Sequence, residues 1–175
     1  MTCSFRLIFL ILLSCCSFLA QDKLPRFEDY QVSVYTGKMC LPEWARREKD
    51  DCWRDQLGKC IGEHPEVNFS GKYFAIVHSC GTSCRYFTLT DLSTGRELKA
   101  LDMFGSGESP SRTRNGLEYL TGIVTRPNSR LLIAQYEIQQ IQRSVENSEC
   151  RERSFLFDGE RLKPITSTRR SCRKF

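Results

Sequence analysis

Tyr73-Phe-Ala-Ile-Val-His-Ser-Cys-Gly-Thr-Ser-Cys-Arg-Tyr-Phe-Thr-Leu-Thr90 is the stretch that decides the fold. Tyr73 to Val77 is apolar on both faces, which predicts a central strand buried on both sides. Tyr86 to Thr90 sets Phe87 and Leu89 against Tyr86, Thr88 and Thr90, the period of a half-buried strand. Between these runs Cys80 and Cys84 flank three residues and can bridge across a tight turn. Ser93-Thr-Gly95 then turns the chain into a further strand through Leu98 and Leu101, which completes a three-stranded meander.

Downstream, residues 105 to 116 (Gly-Ser-Gly-Glu-Ser-Pro-Ser-Arg-Thr-Arg-Asn-Gly) hold no apolar residue and many turn formers, and predict a long exposed loop. Tyr119 to Val124 and Leu131 to Ile138 follow as strands around Arg126-Pro-Asn-Ser129. Ser154 to Phe157 and Arg161 to Ile165 form a last pair across Asp158-Gly159-Glu160, a hairpin signal. Upstream, residues 27 to 36 carry Tyr30, Val32 and Val34 at period two and predict a strand ending at Gly37. The period then changes. Pro42 and Glu43 at a helix start, with Leu41, Ala45, Cys52, Trp53, Leu57, Cys60 and Ile61 at helical spacing, predict an amphipathic helix that stops at Gly62. The expected fold is α+β but mainly β: an antiparallel sheet of about six to eight strands, one N-terminal amphipathic helix, and disulfide staples.

Residues 1 to 20 follow the plan of a signal peptide: Arg6, the apolar run Leu7 to Leu13, and small residues ending near Ala20. That run is too short to cross about 30 Å of hydrocarbon, which takes roughly 20 apolar residues. Residues 21 to 175 are expected to form a single β-rich domain in an exported protein. Leu12-Leu13-Ser14-Cys15 loosely resembles a lipobox, which makes Cys15 a candidate lipid anchor. Without Arg6, 25 of the 26 basic residues remain against 21 acidic ones, a net charge of +4 with a modest basic excess at Arg169, Arg170, Arg173 and Lys174. So diffuse an excess argues against a nucleic-acid partner, whose sites need a basic cluster on one face.

Cys3, Cys15 and Cys16 lie in the leader, so seven of the ten cysteines remain, an odd number in a chain expected to be oxidised. Cys52 and Cys60 would lie about 12 Å apart on one helix and should not pair. Either can reach back to Cys40. Cys150 with Cys172 would tie down the basic tail.

Asn68-Phe-Ser-Gly-Lys-Tyr73, Ser79-Cys-Gly-Thr-Ser-Cys84, Thr90-Asp-Leu-Ser-Thr-Gly95, Arg126-Pro-Asn-Ser-Arg-Leu-Leu132 and Phe157-Asp-Gly-Glu-Arg-Leu162 resemble, in order, a broad family of small exported bacterial proteins. In that family the first two motifs read N-F-A-G-H-Y and W-G-C-G-T-G-C. Lys72 stands where the family has histidine, and His78 where it has tryptophan. The resemblance implies a bacterial, periplasmic setting and carries no established activity.

His78-Ser-Cys-Gly-Thr-Ser-Cys84 concentrates the chemistry, and three readings compete for it. His78, Cys80, Cys84 and His64 are zinc-type ligands, but their spacing matches no familiar finger. A thiolate at Cys80 or Cys84 activated by His78 or His64 would serve a cysteine-dependent hydrolase or redox protein. The third reading, a disulfide-closed turn between two strands, is the one adopted, with no metal and no cofactor. Ser70-Gly-Lys-Tyr73 resembles a loop that enters enzyme clefts in lysozyme inhibitors, yet Tyr73 opens an apolar strand and is expected in the core. Asp50-Asp51 and Glu28-Asp29 read as solvated surface, and Gly105-Ser-Gly107 lacks the lysine of a phosphate loop. The functional expectation is a binding protein: an inhibitor or immunity protein that neutralises a cell-wall-degrading toxin enzyme. Its partner surface is expected on Thr82, Ser83, Arg85, Arg112 and Arg114, and no catalytic residue is assigned.

Overall fold

In the computed structural model, residues 23–47, 52–62, 64–81, 84–107, 109–138 and 149–175 are described. The expected leader with Cys15, the Asp50-Asp51 pair, Thr82 and Ser83 lie outside them. The chain is mainly β, with ten strands among the described residues: β1 (Arg46–Arg47), β2 (Trp53–Arg54), β3 (Cys60–Gly62), β4 (Tyr73–Gly81), β5 (Cys84–Asp91), β6 (Arg96–Leu98), β7 (Tyr119–Arg126), β8 (Ser129–Ile138), β9 (Glu149–Phe157) and β10 (Leu162–Pro164). They form three antiparallel sheets, in the orders β1-β2-β3, β4-β5-β6 and β10-β9-β8-β7, rather than the one larger sheet expected.

The two larger sheets share one core. Tyr73, Ala75, Phe87 and Leu89 from one pack with Leu132, Ala134, Phe155, Phe157 and Leu162 from the other, and Leu101 and Phe104 join them. Alternation explains the arrangement, because every second residue of β5 and of β9 faces inward. A buried Phe or Leu contributes about 1.5–3 kcal/mol relative to exposure, so these side chains set the relation of the sheets. The meander, the β7-β8 hairpin and the β9-β10 hairpin occur where the sequence places them.

Five local expectations are corrected. No clear amphipathic helix forms between Leu41 and Gly62, where the described residues contain β1, β2 and β3. The cause lies at Asp55: its Oδ1 accepts from the amides of Leu57 and Lys59 at 2.8 and 2.9 Å, and Gly58 takes φ +73°, so the chain reverses. Cys52 and Cys60 therefore do pair, with Cα atoms 5.7 Å apart, and the exposed Cys40 is the free cysteine among the described residues. Residues 27 to 36 are not a strand. Phe27–Tyr30 is a 3-10 turn in which the amide of Arg26 donates to Asp29 Oδ2, and the segment beyond runs extended against Asn128 and Gly71.

The fourth correction concerns the strand that opens the meander. β4 lies at the edge of its sheet and β5 is central, so Val77 is 46% exposed while Tyr73, Phe74 and Ala75 are buried. The fifth is that the strand after Gly95 stops at Leu98, and a 3-10 segment, Lys99–Phe104, carries Leu101 and Phe104 into the core. Tyr73 itself is buried, as its core reading requires.

Candidate functional site

Side chains of β4 alternate, so Tyr73 and Ala75 face the shared core while Phe74, Ile76 and His78 face the other way. On β5, Tyr86 lies opposite His78 and Thr88 opposite Ile76, which gathers His78, Tyr86 and Thr88 on that outer face. The turn after β2 closes over it. His78 Nδ1 is 3.0 Å from Asp55 Oδ2, and His78 Nε2 is 2.9 Å from Thr88 Oγ1. Tyr86 stacks on the imidazole at 4.4 Å and 9°, while the Trp44 ring meets it edge-on at 5.1 Å. The Trp44 indole N–H donates to Glu97, and the Lys59 ammonium donates to the carbonyl of Ser79. Asp55 and His78 side chains are each 1% exposed. Burial alone would raise the Asp55 carboxyl, but hydrogen bonds from the Lys59 amide, His78 and the Leu57 amide outweigh it and hold it below the ordinary carboxylate range.

Beyond this cluster β4 and β5 continue to a tip closed by Cys80–Cys84, with Ser79, Cys80 and Gly81 exposed. The base of the tip is tied to the start of the 105 to 116 loop. The Arg85 amide donates to Ser106 Oγ at 2.8 Å, and the Ser106 amide donates to the Arg85 carbonyl at 2.8 Å. The structure thus brings together two of the segments expected to meet a partner.

Their arginines differ. Arg85 is half-buried and its Nη1 reaches the Thr121 carbonyl at 3.3 Å. Arg112 pairs with Glu118 at 2.5 Å and donates to the Gly116 carbonyl. Arg114 is exposed, with no ion pair among the described residues. Cys150 bonds Cys172, and beside that bond Arg173 pairs with the buried Glu152 at 2.7 Å, so one of the four basic tail residues is held in a structural ion pair.

The zinc-type set is not assembled: no metal-holding group of His, Cys, Asp and Glu occurs among the described residues. His64 instead packs edge-on against Trp53 at 5.0 Å. His78 has both ring nitrogens engaged, and the Cys80 and Cys84 sulfurs are bonded to each other. Asp55, Thr88, Tyr86 and Trp44 escaped the sequence reading. Asp55-Gln-Leu-Gly58 carried a usable signal, since Asp followed by Gly three residues later favours a turn over a helix. Nothing local links Asp55 to His78.

The chain matches no protein-family model, no curated protein and no solved structure. Among the described residues no helix is long and apolar enough to cross a membrane. Three intramolecular disulfides are of the kind that oxidising compartments maintain.

Proposed function

We propose that this chain is an exported, periplasmic inhibitor or immunity protein that neutralises a cell-wall-degrading toxin enzyme. The observation that carries the reading is the β4-β5 tip, exposed at Ser79, Cys80 and Gly81, closed by a disulfide and anchored through Arg85 to Ser106. A loop ordered before binding loses less entropy when it enters a partner's cleft. Thr82 and Ser83 lie between Cys80 and Cys84 in the sequence. Arg114 is exposed and has no ion pair among the described residues, whereas Arg112 is already paired with Glu118, which supports Arg114 as the arginine that meets acidic groups of a partner.

The test is inhibition of purified peptidoglycan hydrolases by residues 21 to 175, oxidised, on isolated cell walls. Stoichiometric inhibition of one hydrolase, weakened by Thr82→Ala, Ser83→Ala and Arg114→Ala, supports the reading. Absence of inhibition across the hydrolase classes, with no protection on periplasmic expression, overturns it. A cysteine-dependent hydrolase or redox reading requires thiols at Cys80 and Cys84, and titration of the native protein for reactive thiols distinguishes the two.

A further inference from the structure

We propose that Thr88 is a nucleophile, an acyl-accepting hydroxyl served by His78 as general base, with Asp55 positioning the imidazole. The arrangement satisfies the geometric conditions for such a relay. Thr88 Oγ1 lies 2.9 Å from His78 Nε2, inside the reach of direct proton transfer. His78 Nδ1 lies 3.0 Å from Asp55 Oδ2, so a proton on Nδ1 directed at the carboxylate leaves the Nε2 lone pair facing the hydroxyl. Asp55 is itself fixed, its other oxygen held by the amides of Leu57 and Lys59. The Tyr86 stack and the Trp44 edge hold the ring plane from two further directions.

Exposure is graded along the relay. Asp55 and His78 side chains are sealed at 1% each, while Thr88 is half-buried, so the hydroxyl-bearing residue is the one that solvent reaches. A purely structural relay needs no such gradient. The Asp55 carboxylate, held ionised by its hydrogen bonds, can balance the imidazolium that proton transfer creates. Tyr86 lies two residues before Thr88 on the same face, and the Gln56 amide donates to its hydroxyl at 3.4 Å.

The substrate class is a small activated acyl ester. Thr88 Oγ1 bonds the acyl carbon as the carbonyl π pair moves onto oxygen, and the hydroxyl proton passes to His78 Nε2. The carbonyl then re-forms, the bond to the leaving alkoxide or phenoxide breaks, and that group departs with the proton from Nε2. Water attacks the acyl-threonine in the reverse sense, which releases the carboxylic acid and restores Thr88. This activity uses residues distinct from the disulfide-closed tip, so it and the inhibitor reading stand or fall separately.

The test is reaction of the oxidised full-length mature chain with p-nitrophenyl acetate, followed by intact mass and peptide mapping. The expected result is one acetyl group on the peptide carrying Thr88, retained in Thr88→Ser and lost in the near-isosteric Thr88→Val. Asp55→Asn, acting through His78, should slow acylation about 100-fold while leaving the ester concentration at half-saturation unchanged. Should Asp55→Asn fail to fold, the Thr88→Ser and Thr88→Val pair decides alone. Acetyl groups on lysines only, or equal labelling of Thr88→Val and the parent, would overturn the proposal.

Discussion

Asp55 and His78, 23 residues apart in sequence, meet at 3.0 Å with both side chains 1% exposed, and this contact fastens the β1-β2-β3 sheet to the outer face of β4 and β5. Removing one member leaves the other buried. Asp55→Ala strips His78 Nδ1 and the amides of Leu57 and Lys59 of their acceptor at once. The expected loss is about 3 kcal/mol, read from urea denaturation of the oxidised protein; a loss below about 1 kcal/mol would show that the contact does not hold the sheet in place.

Acid should weaken the fold through the same residue. The folded Asp55 carboxyl sits below its ordinary value, as does Asp91, which burial would raise but which Lys72 at 2.7 Å and Ser93 hold down. A depressed folded value means stability that is present above the unfolded value near 4 and is lost as pH falls through the folded one. The urea midpoint should hold between pH 7 and 5 and then drop below about pH 4. In Asp55→Asn that drop should be shallower, and an identical drop would assign the acid sensitivity elsewhere.

The disulfides should differ in weight. Cys150–Cys172 spans 22 residues and Cys80–Cys84 spans 4, so loop-closure entropy predicts losses of about 3 and about 2 kcal/mol on paired replacement by alanine. Thermal melts of the two double variants rank them, and the reverse order would contradict an entropic origin.

Gly71 takes φ +83°, and a Cβ there would stand 2.5 Å from the Ser33 carbonyl oxygen. Gly71→Ala should therefore cost about 2 kcal/mol or more, from backbone strain together with displacement of the 32 to 35 segment. Hydrogen exchange at Tyr35, whose amide bonds the Gly71 carbonyl, should rise with it; unchanged protection there would rule out the displacement.

Arg173 reaches Glu152 at 2.7 Å, Ser154 Oγ at 3.2 Å and the Pro25 carbonyl at 2.6 Å. Arg173→Ala leaves the Glu152 carboxylate, 2% exposed, without its cation. The expected cost is about 3 kcal/mol, and Arg173→Ala combined with Glu152→Gln should recover part of it. Additive losses in that double variant would mean that the pair is not coupled.

The meander from Tyr73 to Leu98, the β7-β8 and β9-β10 hairpins, and the Cys80–Cys84 and Cys150–Cys172 pairs were legible because each rests on local period, turn chemistry or a short chain separation. The region from Leu41 to Gly62 was not. Its apolar residues fit a helical period, but Asp55 finds its acceptor role in a turn and its partner in His78, and those contacts outweigh the weak preference of the segment. The edge position of β4 and the place of Arg85 against Ser106 and Thr121 also depend on which sheets pack together. Sequence alone therefore determined a disulfide-stapled β protein with an exposed tip, since strand period and turns are properties of neighbours along the chain. Thr88 meets His78 as a diagonal neighbour across the β4-β5 hairpin, but only the tertiary structure joined Asp55 to them, because a side chain 23 residues from His78 is brought to hydrogen-bond distance by packing between sheets and not by local preference.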